Sequence, residues 1–147
     1  MRFPDMRDET GRLMSRGPDV RIGDASSLPW SDRTFDIVIQ STLFSSILDG
    51  EMKRSIAREM TRVLKPGGCV IWYDLRINNP RNPNVKGIGQ REVRSLFPDL
   101  SIRLARVSLA PPLARILVPV SWMGALTLEK MLLFNTHYLG LLKRSTE

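Results

Sequence analysis

Two short runs of nearly unbroken apolar and β-branched residues, Phe35–Gln40 (FDIVIQ) and Cys69–Tyr73 (CVIWY), flank a stretch with a different period. Between them Met52, Ile56, Met60, Val63 and Leu64 recur at three- and four-residue steps, with Lys53, Arg54, Arg58 and Arg62 on the other side. That is the pattern of a helix with one apolar face. Strands apolar on both faces are buried on both faces, and a strand joined to the next through a helix runs parallel to it. This unit predicts an α/β sandwich built on a mostly parallel sheet. Asp49 is placed to cap the helix, and Glu51 in its first turn suits the dipole. Lys65-Pro66-Gly67-Gly68 ends it, because proline cannot continue a helix and glycine accepts the left-handed closing conformation.

The remaining elements are read the same way. Residues 6–17 (MRDETGRLMSRG) form a weakly amphipathic helix stopped at Gly17-Pro18. Val20-Arg21-Ile22 is a short strand ending at Gly23-Asp24. The Asn-, Pro- and Gly-rich loop from Arg76 to Gly89 is irregular. A short helix spans Arg91 to Phe97 and stops at Pro98. Ile102 to Leu109 is a strand whose apolar phase changes between Leu104 and Val107, which predicts a bulge near Ala105. Pro111-Pro112 opens a long apolar helix reaching Phe134, and His137 to Leu142 closes the chain as a last strand.

At 147 residues the whole chain, 1–147, is read as one domain. The longest apolar stretch, Ile116 to Leu128, falls short of the ~20 residues that span a bilayer, and residues 1–18 have no apolar signal-peptide core. A cytoplasmic protein with no transmembrane segment is expected. The net charge of +7 comes from seventeen arginines against five lysines. They are scattered, without interleaved aromatics, so no specific nucleic-acid surface is expected. The lone cysteine, Cys69, excludes an internal disulfide and a cysteine-based zinc site, and no metal site is expected. Within its apolar run it reads as a buried, inert thiol.

Ligands of parallel α/β sheets bind beyond the carboxyl ends of the strands. Those ends are Gly23-Asp24-Ala25, Gln40-Ser41-Thr42 and Tyr73-Asp74. Here a resemblance enters. GDASSLPW, SDRTFDIVIQS and REMTRVLKPGGCVIWYD are similar, in order and spacing, to class I S-adenosylmethionine-dependent methyltransferases, especially the broad type 11 small-molecule group. The likeness is strong from Val20 to Asp74, and elsewhere holds in strand and helix order. It implies a Rossmann-like sandwich with sheet order 3-2-1-4-5-7-6. It also implies that Asp24 and the N–H of Ala25 meet the amine and ring nitrogen of the adenine, and that Gln40, Ser41 and Leu43 lie by the sulfonium. Alternatives stand beside these roles: Asp24 closes an Asx turn, the β-strand residues simply end their strand, and Trp30 packs under its loop or leans on the adenine. Asp36 is expected to cap backbone groups at its strand's start.

Tyr73 and Asp74 are the candidates for acceptor contacts and catalysis. Many relatives carry a histidine near Ser45-Ser46; STLFSSILD has none. The single histidine, His137, reads as a scaffold residue. The loop 76–89 and the segment 110–134 would form the acceptor-side loop and lid, or, for the second, a buried core helix; an apolar lid suits a lipophilic acceptor.

The family's Gly-x-Gly-x-Gly loop and the acidic ends of its first two strands are not in this sequence. The resemblance therefore implies a domain truncated at its N-terminus, with the first two strands of the seven-stranded sheet absent. Only half of an S-adenosyl-L-methionine site would remain, beside an unpaired apolar strand edge, a hazard for folding. On that reading the chain alone is inactive and binds the cofactor weakly or not at all. Two functions stay open: methyl transfer to a small-molecule or lipophilic acceptor within a longer parent enzyme, or a non-catalytic remnant that associates with an intact methyltransferase.

Overall fold

The computed structural model describes residues 21–79, 82–109, 119–121, 123, 127 and 135–146. The element order is strand β1 (Phe35–Ser41), a 3-10 turn (Phe44–Ser46), helix α1 (Gly50–Val63), strand β2 (Leu64–Leu75), helix α2 (Gln90–Leu96), strand β3 (Leu100–Leu109) and strand β4 (Asn135–Arg144). The strands form one sheet in the order β1-β2-β4-β3. This is the 4-5-7-6 half of the expected order.

The β1–β2 pair is parallel, as the β-α-β pattern requires, but β4 runs antiparallel to both β2 and β3. The expected mostly parallel sheet is thus mixed. The physical reason lies in the connection: β3 ends at Leu109 directly opposite Asn135, where β4 begins, so the chain returns at the same end of the sheet.

Helix α1 begins where the sequence places it. The Asp49 carboxylate accepts from the N–H groups of Glu51 and Met52 at 2.7 and 3.0 Å, satisfying two of the helix's free donors. It ends at Val63, and β2 starts at the next residue. Lys65-Pro66-Gly67-Gly68 therefore belongs to the strand, as an excursion in the ladder: Phe35 pairs with Leu64, while Ile37 already pairs with Cys69. Gly67 takes φ of +77°, and a Cβ on Gly68 would stand 2.8 Å from the Asp36 carbonyl oxygen. Glycine is required at both positions, for conformation at one and for close approach at the other.

The core lies on one face of the sheet only. Along β2 the buried positions Val70, Trp72 and Asp74 alternate with the half-buried Cys69, Ile71 and Tyr73, the period-2 pattern of a strand covered on one side. Val70, Trp72 and Leu142 pack against Ile56, Ala57 and Met60 of α1 and Val93 of α2. Phe44, Trp72 and Phe97 cluster at centroid distances of 4.7, 5.9 and 6.0 Å. Lys53, 3% exposed, ties the two helices through Nζ to Glu92 Oε1 at 2.8 Å. On the opposite face Ile37, Ile39, Leu139 and Leu141 are 54, 69, 45 and 43% exposed.

Four further expectations change. Arg21 and Ile22 carry no strand, and Ile22 is fully exposed; Val20 lies outside the described residues. The β3–β4 ladder keeps its register through Ala105, so no bulge is there; the phase change is one of burial, with Ala105 and Arg106 both exposed. Cys69 is half-buried, because it points to the less covered face. Asp36 is exposed and pairs with Lys65 Nζ at 2.8 Å instead of capping the strand. The N-terminal amphipathic helix and nearly all of the 110–134 segment lie outside the described residues. No helix among the described residues is long and apolar enough to cross a membrane.

Candidate functional site

The turn that follows Gly23 is built by backbone bonds and held by one arginine. Asp24 Oδ1 accepts from Ser26 N at 2.8 Å, and the Asp24 carbonyl accepts from Ser27 N at 3.0 Å. The Asx turn is therefore present, and its hydrogen bonds hold the exposed Asp24 carboxyl below the usual range. The Ser26 side chain also bonds to the Asp24 carboxylate, and among the described residues no hydrogen bond reaches the N–H of Ala25. Arg62, at the end of α1, donates to the carbonyls of Leu28 and Trp30 and to Asp32 and Glu59. Glu59 Oε2 also accepts from Leu28 N at 2.8 Å. The Arg62 guanidinium, with burial opposing and the Leu28 amide assisting, brings the Glu59 carboxyl down to about 2. The helical spacing counts Arg62 as surface, whereas in the fold it anchors this turn. An arginine three residues after a glutamate, at a helix end, is the only signal the sequence offers for it. Trp30 meets Phe35 edge-on at 5.5 Å, and the Arg21 guanidinium lies 5.3 Å from its ring centre.

The end of β1 is strained and tightly held. Thr42, β-branched, takes φ of +52°, a conformation that persists only where surroundings enforce it. Its N–H donates to the Tyr73 carbonyl at 2.8 Å, and its carbonyl accepts from Ser46 Oγ at 3.0 Å. Next door, Asp74 is fully buried and accepts from three backbone amides: Phe44 N at 2.9 Å, Ser45 N at 3.3 Å and Leu75 N at 2.8 Å. It caps the 3-10 turn across the sheet from β2. Gln40 is 4% exposed; its Oε1 accepts from Leu43 N at 3.4 Å, while its Nε2 is buried and has no partner.

Tyr73 projects from the other face of the sheet. Its hydroxyl lies 3.0 Å from Ser108 Oγ, and its ring stacks on His137 at 4.9 Å and 3°. Burial pushes the His137 imidazole below its usual value, with Asp74 acting against the shift. No group of three or more metal-ligating side chains occurs among the described residues.

These placements divide the sequence-derived candidates. Ala25, Gln40 and Leu43 line one open cavity of about 280 Å³, walled by Leu28, Trp30 and Met60. Asp24 lines the adjoining hollow, which shares Ala25, Leu28 and Trp30 with it. Ser41 pairs with Tyr73 in the β1–β2 ladder and is exposed; it borders neither hollow. The unpaired Gln40 amide and the Ala25 N–H offer donors, and the Asp24 carboxylate an acceptor, around an apolar slot. That set suits a flat, polar-edged ring such as an adenine.

The sequence from residue 4 to 72 matches a family model described as a methyltransferase domain. Over 91 residues the chain is 32% identical to a demethylmenaquinone methyltransferase of Lactobacillus johnsonii, a match covering 62% of this chain and 35% of that protein. Over 63 residues it is 41% identical to a phthiotriol/phenolphthiotriol dimycocerosates methyltransferase of Mycobacterium tuberculosis, covering 43% and 22%. The fold superposes on a SAM-dependent methyltransferase from Archaeoglobus fulgidus with a TM-score of 0.59 at 16% identity, covering 83% of this chain and 66% of that one. The matches thus span about a third or less of the curated relatives' length. Residues 4–72 are thus similar to a methyltransferase domain, and the fold over most of the chain is shared with S-adenosylmethionine-dependent methyltransferases.

Proposed function

We propose that the chain serves S-adenosylmethionine-dependent methyl transfer to a lipophilic small-molecule acceptor. Asp24, Ala25, Gln40 and Leu43 stand on the cofactor side, while Ser41, which borders neither hollow, shares the acceptor side with its ladder partner Tyr73. The observation that carries this reading is the buried, unpartnered Nε2 of Gln40 at the cavity where β1 ends, since a buried donor is ordinarily satisfied. Bound there, the cofactor supplies a methyl group on a sulfonium. The chain's own residues bind and orient: Asp24 and Ala25 hold the adenine edge, Gln40 donates, and the strained Thr42 turn fixes the strand end. Asp74 acts as a positioning residue, since its carboxylate is occupied by three amides. Alignment of this kind is the chief help such a displacement needs. The relatives named for demethylmenaquinone and for phthiotriol dimycocerosates support a lipophilic acceptor.

In this reading the chain holds half of the cofactor site. The other half is a glycine-rich segment of a longer parent, and the 147 residues contain no Gly-x-Gly-x-Gly run. Saturation-transfer NMR with S-adenosylmethionine tests both parts. Weak binding, lost in Gln40→Leu, is the expected result. Binding as tight as micromolar would refute the half-site, and wild-type binding by Gln40→Leu would refute the site.

A second reading, a non-catalytic partner of an intact methyltransferase, is favoured by the apolar face that carries Ile39, Leu139 and Leu141. Sedimentation with an intact type 11 enzyme distinguishes it: a stable complex without bound S-adenosylmethionine supports the partner role.

A further inference from the structure

The sheet face that α1 and α2 leave open joins an apolar surface to two cations that no described residue neutralises. We propose that this face docks on an anionic lipid surface. Ile39, Leu139 and Leu141 enter the boundary of the acyl chains, and Arg103 and Lys143 meet lipid phosphates. The proposal goes beyond the methyl-transfer reading and does not depend on it.

The strand registers set the layout. Ladder partners point to the same face, so Ile39, Ile71, Leu141 and Arg103 stand in one row across all four strands. Lys143 and Ser101 belong to the next row, and Leu139 to the one on the other side. Arg103 and Lys143 are therefore diagonal neighbours, roughly 7–8 Å apart at their bases, and two such long side chains can meet on one phosphate. Together with Ser101 and Leu141 they line a hollow of about 230 Å³. It shares Arg103 and Leu141 with an open groove of about 470 Å³ that Ile71, Ala105 and Leu139 also line. A cationic hollow thus opens directly into an apolar one, in the order of a lipid headgroup and its acyl chains.

Charge then selects the partner. No strand position on this face holds an aspartate or glutamate; the strands' two aspartates, Asp36 and Asp74, occupy alternate positions. On the helical side and its rim the cations have acids beside them: Lys53 has Glu92, Arg54 has Glu51, Arg62 has Glu59 and Asp32, and Lys65 has Asp36. Arg103 and Lys143 are exposed and make no ion pair or hydrogen bond among the described residues. A second copy of the face would cover its apolar side chains but bring no anion to these cations. Nucleic acid would meet the cations and leave Ile39, Leu139 and Leu141 in water. An anionic bilayer answers both, because apolar side chains bury at the headgroup boundary while basic ones meet phosphate. The net charge of +7 adds a longer-range pull toward such a surface.

Sedimentation of the full chain with large vesicles tests the assignment. Vesicles of equimolar phosphatidylcholine and phosphatidylglycerol should carry the chain down, and pure phosphatidylcholine should bind it far more weakly. Arg103→Gln combined with Lys143→Gln should weaken binding about thirty-fold, on the order of fivefold for each basic residue near an anionic leaflet. Arg58→Gln combined with Arg94→Gln makes the same charge change on the helical side and should cost only a small part of that. Leu141→Ser should reduce the binding that persists in high salt, where charges are screened. Equal losses in the two double variants would reduce the effect to net charge and overturn the proposal, as would absence of binding to the anionic vesicles. Binding of soluble glycerol 3-phosphate as tight as that of vesicles would make the hollow a free-anion site. A complex with an intact methyltransferase that Leu141→Ser breaks would give the face to a protein. Either result also overturns the proposal.

Discussion

The two faces of the sheet are made of the same kinds of residue and have different fates. On one, Val70, Trp72 and Leu142 are fully buried under α1 and α2; on the other, Ile37, Ile39, Leu139 and Leu141 keep 43 to 69% of their surface exposed. The strands alternate between these faces residue by residue, so composition cannot tell the faces apart. What differs is the layer laid over them. An apolar side chain stabilises a fold in proportion to the area that something else removes from water. β2 is half a core strand and half a surface strand.

The contrast can be broken most forcefully at its centre. Trp72→Ala should lower unfolding free energy by about 3–5 kcal/mol in urea titrations, whereas Leu141→Ala should change it by less than about 1 kcal/mol. Equal losses would mean that the second face is covered in solution. Asp74→Ala comes next: stranding the amides of Phe44 and Ser45 should cost about 2–3 kcal/mol and loosen the Phe44–Ser46 turn, visible as faster amide exchange at Ser45.

A smaller effect belongs to the rim. Glu59 has a folded-state pKa of about 2, depressed from 4.5 chiefly by Arg62. A depressed carboxylate contributes stability that is complete above its unfolded value and is lost as pH falls through the folded one. The Glu59 contribution should therefore fade between about pH 4.5 and pH 2. Glu59→Gln should remove about 1 kcal/mol at pH 7, given the partial exposure of the pair, and flatten that part of the acid titration. The smallest change in stability, within about 0.5 kcal/mol, is expected for Leu141→Lys. It sharpens the comparison through another observable: a charge on the exposed face should reduce self-association in sedimentation runs, and unchanged association would place the contact elsewhere.

Legibility in the sequence followed the same division. β1 and α1 could be read almost to the residue, because Asp49 caps, the Met52–Leu64 spacing marks one face, and local chemistry sets both ends. β2 could be read only from Cys69, since Lys65–Gly68 reads as a helix stop and joins the strand only through its excursion in the ladder. The direction of β4 could not be read, since it depends on where a long connection returns. The turn at residues 24–30 was visible as turn-rich sequence, but its anchor was not: Arg62 looks like any solvated helix arginine until the fold brings Leu28 and Trp30 beneath it. The pairing of Tyr73 with His137 was equally hidden, because those residues are far apart in sequence and their meeting depends on the β2–β4 ladder. Asp74 is legible as a carboxylate at a strand end, and only the fold shows how fully backbone amides occupy it.

β4 lies between β2 and β3 in the sheet yet follows both of them in the chain. During synthesis β2 and β3 therefore emerge with no strand to join them, and each must wait for a neighbour that has not been made. Pairing across such long separations is slow, and strands left open in the meantime are exposed to other chains. The sheet closes late and in a single insertion, so the yield of folded protein should depend more on how fast residues 135–144 dock than on how well α1 forms.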